Sequence, residues 1–415
     1  MIISNKLNKM LSGNSQIRKM FEEGNKLKKQ FGEDKVYDFS LGNPNAKIPD
    51  ELKQTMIEII SKDTPDTHRY MSNAGFESTR ESIARSINKR FNTSYTYNDL
   101  IMTVGAASAL NIILKSILDE GDEVICFAPY FLEYKTYVEN YNGKLISIDT
   151  SSNGFLPDKE SLEAAVSKKT KAVIINSPNN PTGIIYSENV LKEINSCIRK
   201  CCKKYEIDII TISDEPYREL VYVEKKVPWI PDIIEDSVVA YSYSKSLSLA
   251  GERIGWLLIP KECISYKELI GACTISNRAI GCVNAPSLMQ KVIEACPDAR
   301  VDVNFYANNR TVLYNELKKL GFEMIFPEGG FYIFLKSPIE ENAFIEKCKE
   351  HRILLVSGSA FECSGYVRIA YCVSEATVLN SLESFKLVAK ECGILYVNRD
   401  FKICTMYLLL LIFFC

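Results

Sequence analysis

Between about residues 100 and 260 the chain alternates short, almost purely apolar runs with longer stretches of helical periodicity. The runs are IMTVG at 101–105, EVICFAP at 123–129, KLISID at 144–149, KAVIINS at 171–177, DIITISD at 208–214, SVVAYSYS at 237–244 and RIGWLLIP at 253–260. A strand with one wet face alternates apolar and polar residues, whereas strands this uniformly apolar are buried on both faces. That pattern predicts a mostly parallel sheet covered by helices. After about residue 281 the pattern changes to long helices, then FEMIFPEGGFYIFLK, a helix near Phe344 and YVRIAYC. This stretch predicts a smaller α+β unit with an antiparallel sheet. The expected fold class is α/β: a large three-layer domain with a mostly parallel sheet, plus a smaller α+β domain built from both chain ends. The expected boundaries are 46–282 for the large domain, 1–45 and 283–395 for the small one, and 396–415 for an atypical apolar tail.

Composition narrows the function. A chain of 415 residues, 46% hydrophobic and 25% charged, is long enough for two or three domains and a large core. A formal net charge of -2 provides no field toward nucleic acid or an acidic membrane, so neither is expected as a partner. Lys19, Lys26, Lys28 and Lys29 cluster near the N-terminus, but Glu22, Glu23, Glu33 and Asp34 interleave with them, as on a solvated helix face. The 14 cysteines are scattered without a C-x-x-C pair, and His68 and His351 are the only histidines. No metal centre and no Ser/His/Asp hydrolase is expected from such a set. Buried thiols in a reduced, cytoplasmic chain fit it better. The N-terminus lacks the apolar core of a secretion signal. ICTMYLLLLIFFC at 403–415 falls short of the roughly 20 residues needed to span a bilayer.

Chemistry enters at the ends of the strands, where open α/β sheets bind their ligands. Asn180 follows one predicted strand in NSPNNPTG, Asp214 ends another in SDEPYREL, and Lys245 lies just past a third in YSYSKSLSLAGERIG. An amide, a carboxylate and an amine at three such ends suggest one site. A lysine placed there can form a Schiff base with a carbonyl. An aldehyde cofactor with a pyridine ring needs a carboxylate to keep its ring nitrogen protonated, which Asp214 fits. Its ring oxygen needs donors, which Asn180 and Tyr217 supply. Its phosphate needs helix N-terminal amides and a fixed cation. GAASAL at 105–110 offers the amides of Ala106 and Ala107, and Ser242, Ser244 and Arg253 bracket the lysine. Phe131 sits at another strand end and can cover the ring. Singly these residues have blander roles: Asp214 as a loop cap, Arg253 as a surface ion-pair partner, Phe131 as core, Tyr217 as half-buried packing. Those roles do not account for their shared order and placement.

With these residues in place, the chain resembles the class I/II aminotransferases of fold type I, the aspartate aminotransferase superfamily. The resemblance runs from about residue 36 to 389. It is carried by N-P-T-G at 180–183, D-x-x-Y from Asp214 to Tyr217, S-x-S-K from Ser242 to Lys245, Arg253 eight positions after that lysine, and G-Y-V-R-I-A-Y around Arg368. Gly330, where many relatives carry alanine, and Ala250, where several carry proline, depart from the pattern. The resemblance implies pyridoxal 5′-phosphate as cofactor, with Lys245 as its Schiff-base lysine and proton carrier and Asp214 on the ring nitrogen. It implies Asn180 and Tyr217 on the ring oxygen, and Arg253, Ser242 and the amides near Ala106 on the phosphate. Arg368 would bind the substrate α-carboxylate, with Asn180 and the backbone near Gly42 in SLGNPN as the other substrate-binding groups. Tyr70, in RYMSNAGFESTR, would reach the phosphate of a neighbouring subunit, which implies a homodimer with shared sites. The implied reaction is ping-pong transfer of an amino group between an L-amino acid and a 2-oxo acid. A C-S β-lyase on the same fold and, more remotely, a cofactor-sensing regulator are the other readings. Arg278, in SNRAIG, is the candidate for a second substrate carboxylate, with a helix-face or interface arginine as its plainer role.

Overall fold

A computed structural model describes residues 2–12 and 16–394; the apolar tail lies outside them. In chain order, β1 (Tyr37–Asp38) is followed by β2 (Leu100–Thr103), β3 (Glu123–Ala128), β4 (Lys144–Asp149), β5 (Thr170–Asn176), β6 (Ile210–Asp214), β7 (Ser237–Ser242) and β8 (Gly255–Leu258). Then come β9 (Tyr332–Lys336), β10 (Ile353–Leu354), β11 (Val356–Ser357) and β12 (Tyr366–Ala370). Seven strands form the large sheet, in the order β2-β8-β7-β6-β5-β3-β4. Strands β3 to β7 pair in parallel, and β8 runs antiparallel between β7 and β2. Every apolar run read from the sequence contributes a strand to this sheet.

Both faces of the sheet are dry. On β3, Val124 and Cys126 pack with Ile113 and Leu114 of helix Gly105–Ile117, while Ile125 and Phe127 pack on the opposite side with Leu191 and Ile194 of helix Glu188–Tyr205. Each such buried aliphatic side chain stabilises the fold by about 1.5–3 kcal/mol. Strand β4 departs from the expectation of two buried faces. Lys144, Ser147 and Asp149 are exposed on it, at one edge of the sheet, whereas β2 at the other edge is buried throughout. Strand order reverses between β3 and β5, since β3 leads outward to β4 while β5 leads inward to β6. The crevice beyond the carboxyl ends at such a point is where ligands bind in open α/β sheets.

The smaller sheet is antiparallel, in the order β11-β12-β9, and β1 pairs in parallel with β10. Met20, Val36 and Phe39 from the first 45 residues share one core with Phe385 and Val388 of the last helix, Glu375–Glu391. Helix Ser287–Ala295 lies against helices Asp50–Lys62 and Glu77–Phe91. We propose the two-part division 46–282 against 1–45 and 283–395, with that helix as the piece that crosses back onto the large part. Among the described residues no helix is long and apolar enough to cross a membrane.

Candidate active site

A cavity of about 370 Å³ opens beyond the carboxyl ends of β5, β6 and β7. Each strand or the turn that follows it delivers polar groups to it: Asn176 and the following Asn180 from β5, Asp214 from β6, Ser242 and the following Lys245 from β7. Asn176 and Asp214 are register partners on adjacent parallel strands, and the Asn176 Nδ2 donates to the Asp214 carbonyl oxygen at 2.9 Å. The Asn176 Oδ1 accepts from the Asn180 backbone amide at 2.7 Å, which fixes the turn that presents Asn180.

Asp214 is buried, and burial pushes its carboxyl up to about 7, partly offset by a hydrogen bond from the Tyr134 hydroxyl. That hydroxyl donates to Asp214 Oδ2 at 2.5 Å, whereas Oδ1 is buried with no partner. A buried acceptor without a donor is costly, so the cavity is complementary to a ligand that carries an N–H. Lys245 Nζ donates to the Gly42 carbonyl at 2.7 Å and lies 5.3 Å from the centre of the Phe331 ring. Burial pushes its ammonium down to about 8; the Cys372 thiol opposes this, and the Arg368 and Arg253 charges add to it.

The anion-binding side is built around Arg253. Its Nη1 donates to Ser244 Oγ at 3.2 Å and to the Ala250 carbonyl at 2.9 Å, and its Nη2 donates to the Val104 carbonyl at 3.1 Å. Ser242 Oγ donates to Ser244 Oγ at 2.8 Å and accepts from the Ser244 amide at 3.2 Å. Helix Gly105–Ile117 starts here without a side-chain cap. Its first amides, including those of Ala106 and Ala107, therefore lack intrahelical acceptors. Gly105 has φ +78°, and a Cβ there would stand 2.7 Å from Arg253 Nη2, so the close approach of guanidinium to helix start requires glycine.

Opposite lies Arg368, from β12 of the smaller sheet. Its Nη1 donates to Asn180 Oδ1 at 3.2 Å and its Nη2 to the Ser40 carbonyl at 2.8 Å, while its Nε is buried and unpartnered. The guanidinium lies over the rings of Tyr332, 4.4 Å from its centre, and Phe361, at 4.8 Å. The Tyr217 and Tyr332 hydroxyls are 3.1 Å apart. Gly42 is glycine for want of space: a Cβ there would stand 1.9 Å from the Tyr332 hydroxyl oxygen.

The candidates read from the sequence thus converge. Lys245, Asp214, Tyr217 and Asn180, then Ser242, Ser244 and Arg253, then Ala106, Ala107 and Phe131, and finally Gly42 and Arg368 all line this one cavity. Two candidates do not. Tyr70 is 86% exposed and lies in a separate groove beside Met71 and Asn284. Arg278 is exposed near the end of helix Tyr266–Ala279 and is not part of the cavity wall. Sequence reasoning passed over Tyr332, Tyr134, Asn176 and Glu133. Asn176 had a signal, since it ends its strand just as Asp214 does. Tyr332 had none, because only tertiary folding brings β9 beneath Arg368.

A sheet of this topology, with an amine, a carboxylate and one arginine at its carboxyl edge and a second arginine facing them from the smaller sheet, suits an enzyme that works on amino groups through a carbonyl cofactor. Residues 34–385 match the aminotransferase class I and II family, and the chain belongs to it. It is similar to an aspartate aminotransferase of Thermotoga maritima, 30% identical over 357 residues that cover 85% of this chain and 90% of that one. An aminotransferase of Eubacterium rectale superposes with a TM-score of 0.91 at 39% identity, over 96% of this chain and 100% of that one. Aspartate aminotransferase of Thermus thermophilus, in a structure with maleate, superposes with a TM-score of 0.80 at 26% identity, over 90% and 96% of the two chains. The chain is an aminotransferase, acting on amino acids and 2-oxo acids, of a family that uses pyridoxal 5′-phosphate. The residues present fit that group. The partnerless Asp214 Oδ1 matches a pyridinium N–H, and the Arg253, Ser244 and helix-start cradle matches a phosphate.

Proposed function

We propose that the cavity carries out ping-pong transfer of an amino group from an L-amino acid to a 2-oxo acid, with Lys245 as the catalytic residue. The observation that supports this most directly is the convergence of Lys245, Asp214, Arg253 and Arg368 on one cavity from separate elements of the fold. When bound, pyridoxal phosphate supplies an aldehyde that condenses with amines and a ring that accepts the electron pair left on the α-carbon.

This chain's own residues do the rest. Arg253, Ser242, Ser244 and the amides of Ala106 and Ala107 hold the phosphate. Asp214 keeps a proton on the ring nitrogen, and Asn180 and Tyr217 donate to the ring oxygen. Phe131, on the same cavity wall, would cover the ring. Arg368 receives the substrate α-carboxylate, for which its free Nε and adjacent Nη make a two-pronged donor. The backbone at Gly42 closes that end. Lys245 Nζ would take up the α-proton and carry it; an amine held near 8 is neutral often enough near pH 7 to accept it. Tyr70, exposed on the single chain, reaches the phosphate of a second copy in a homodimer with shared sites.

Absorbance of the purified protein tests the reading. A visible band is expected that bleaches with amino acids and returns with 2-oxo acids. Lys245→Ala should lose turnover almost entirely. Turnover at the wild-type rate in that variant would remove Lys245 from its role, and ammonia released without a 2-oxo acid acceptor would point to elimination instead.

A further inference from the structure

One charged side chain on the cavity wall has no task in this reaction. The charged groups lining the cavity are Lys245, Asp214, Arg253, Arg368 and Glu133. The first four are accounted for by the cofactor and the α-carboxylate. Glu133 opens helix Glu133–Glu139, two residues after Phe131. It is half-buried, and it pairs with no cation and accepts no hydrogen bond among the described residues. Ala107, Leu110 and Leu132 line the same cavity and bring no charge. A half-buried carboxylate left without a partner is electrostatically unfavourable, and a cation brought to it relieves that. A second carboxylate brought there would instead meet a like charge in a poorly hydrated space.

We propose that Glu133 determines side-chain specificity, selecting amino acids whose side chain is an aliphatic stem ending in a cation over those ending in a carboxylate. The proposal rests on the assignment of Arg368 to the α-carboxylate, which leaves Glu133 for the side chain. Leu110 and Leu132 suit the methylenes of such a stem, and Glu133 suits its charged end. The chain then differs in substrate from its relatives named for aspartate. It has no cation to spare on its own cavity wall, since Arg278 lies outside it.

The test compares L-ornithine with L-norvaline, which has the same stem without the terminal amine, and with L-glutamate and L-aspartate, on cofactor-loaded enzyme. Wild type should favour ornithine over norvaline by about tenfold in kcat/KM, and over glutamate by more. Glu133→Gln should bring the ornithine-to-norvaline ratio close to one and improve glutamate, as expected when a partly exposed ion pair is removed. Calorimetric titration gives a readout independent of turnover: 5-aminopentanoate should bind wild type more tightly than maleate does, and Glu133→Gln should narrow or reverse that order. Wild type preferring glutamate or aspartate, with Arg278→Gln removing that preference, would overturn the proposal. So would an ornithine-to-norvaline ratio unchanged in Glu133→Gln. A failure of the underlying reading looks different: no visible band and no reaction with any amino acid.

Discussion

Two titrating groups of the cavity lend themselves to direct measurement. Burial holds the Lys245 amine near 8, well below an exposed lysine, so in cofactor-free protein it is the lysine that reacts fastest at neutral pH. Its capture by a simple aldehyde followed by borohydride reduction should rise about tenfold per pH unit up to a midpoint near 8 and then level off. A midpoint above 10 would show that the amine is solvated. Asp214 is shifted in the opposite sense, from 3.8 to about 7. Between these values the folded protein holds a proton that the unfolded chain has released. The associated stability is complete below about pH 4 and is lost as pH rises through 7. Asp214→Asn has no such proton to lose. In urea unfolding of cofactor-free protein it should therefore gain on wild type by a few kcal/mol between pH 4 and pH 7. A constant difference across that range would contradict the burial of Asp214 as its cause. Both residues were visible in the sequence because Asp214 ends an apolar run and Lys245 sits one step past another. The Tyr134 hydroxyl that binds Asp214 was not, since its distance along the chain, 80 positions, carries no pattern.

At the scale of elements, the seven apolar runs were legible as a sheet because burial on both faces leaves its mark on every residue of a strand. Strand β4, with three exposed side chains, broke the pattern, while β2 at the opposite edge kept it. Strand order was not legible. Nothing in RIGWLLIP distinguishes an antiparallel strand inserted between β7 and β2 from another parallel one, because a strand buried on all sides reads alike in either direction. That insertion matters, because it brings Arg253, at the start of the run, against the first turn of helix Gly105–Ile117. Gly105 is the joint. Gly105→Ala would strain a residue at φ +78° and set a methyl group 2.7 Å from the guanidinium. The variant should fold, at a cost of about 1–2 kcal/mol, and lose about tenfold or more in affinity for pyridoxal phosphate as the guanidinium is pushed aside. Equal loss of pyridoxal, which has no phosphate, would locate the damage elsewhere in the cavity.

On the whole-molecule scale, the chain assembles its cavity from two sheets: Lys245, Asp214 and Arg253 beside the seven-stranded one, Arg368 and Tyr332 on the three-stranded one. Tyr70 stands apart. Its phenol, 86% exposed and without a hydrogen-bond partner among the described residues, is free to reach a second copy in the homodimer proposed above, in which each subunit would complete the other's site. Sedimentation should then give twice the 47.0 kDa of one chain. Tyr70→Phe, which removes only a hydroxyl donor to phosphate, should weaken cofactor binding about tenfold to a hundredfold. The decisive experiment mixes two defective variants. A Tyr70→Phe subunit keeps its own Lys245, and a Lys245→Ala subunit keeps Tyr70 to lend. In a mixed dimer the first subunit's cavity regains both residues, while the second subunit's cavity lacks both. Cofactor affinity at the surviving Lys245 should therefore return to the wild-type value on mixing, with half the sites active per mixed dimer. If mixing restores nothing, Tyr70 serves its own chain or none, and the cavity is complete within one subunit.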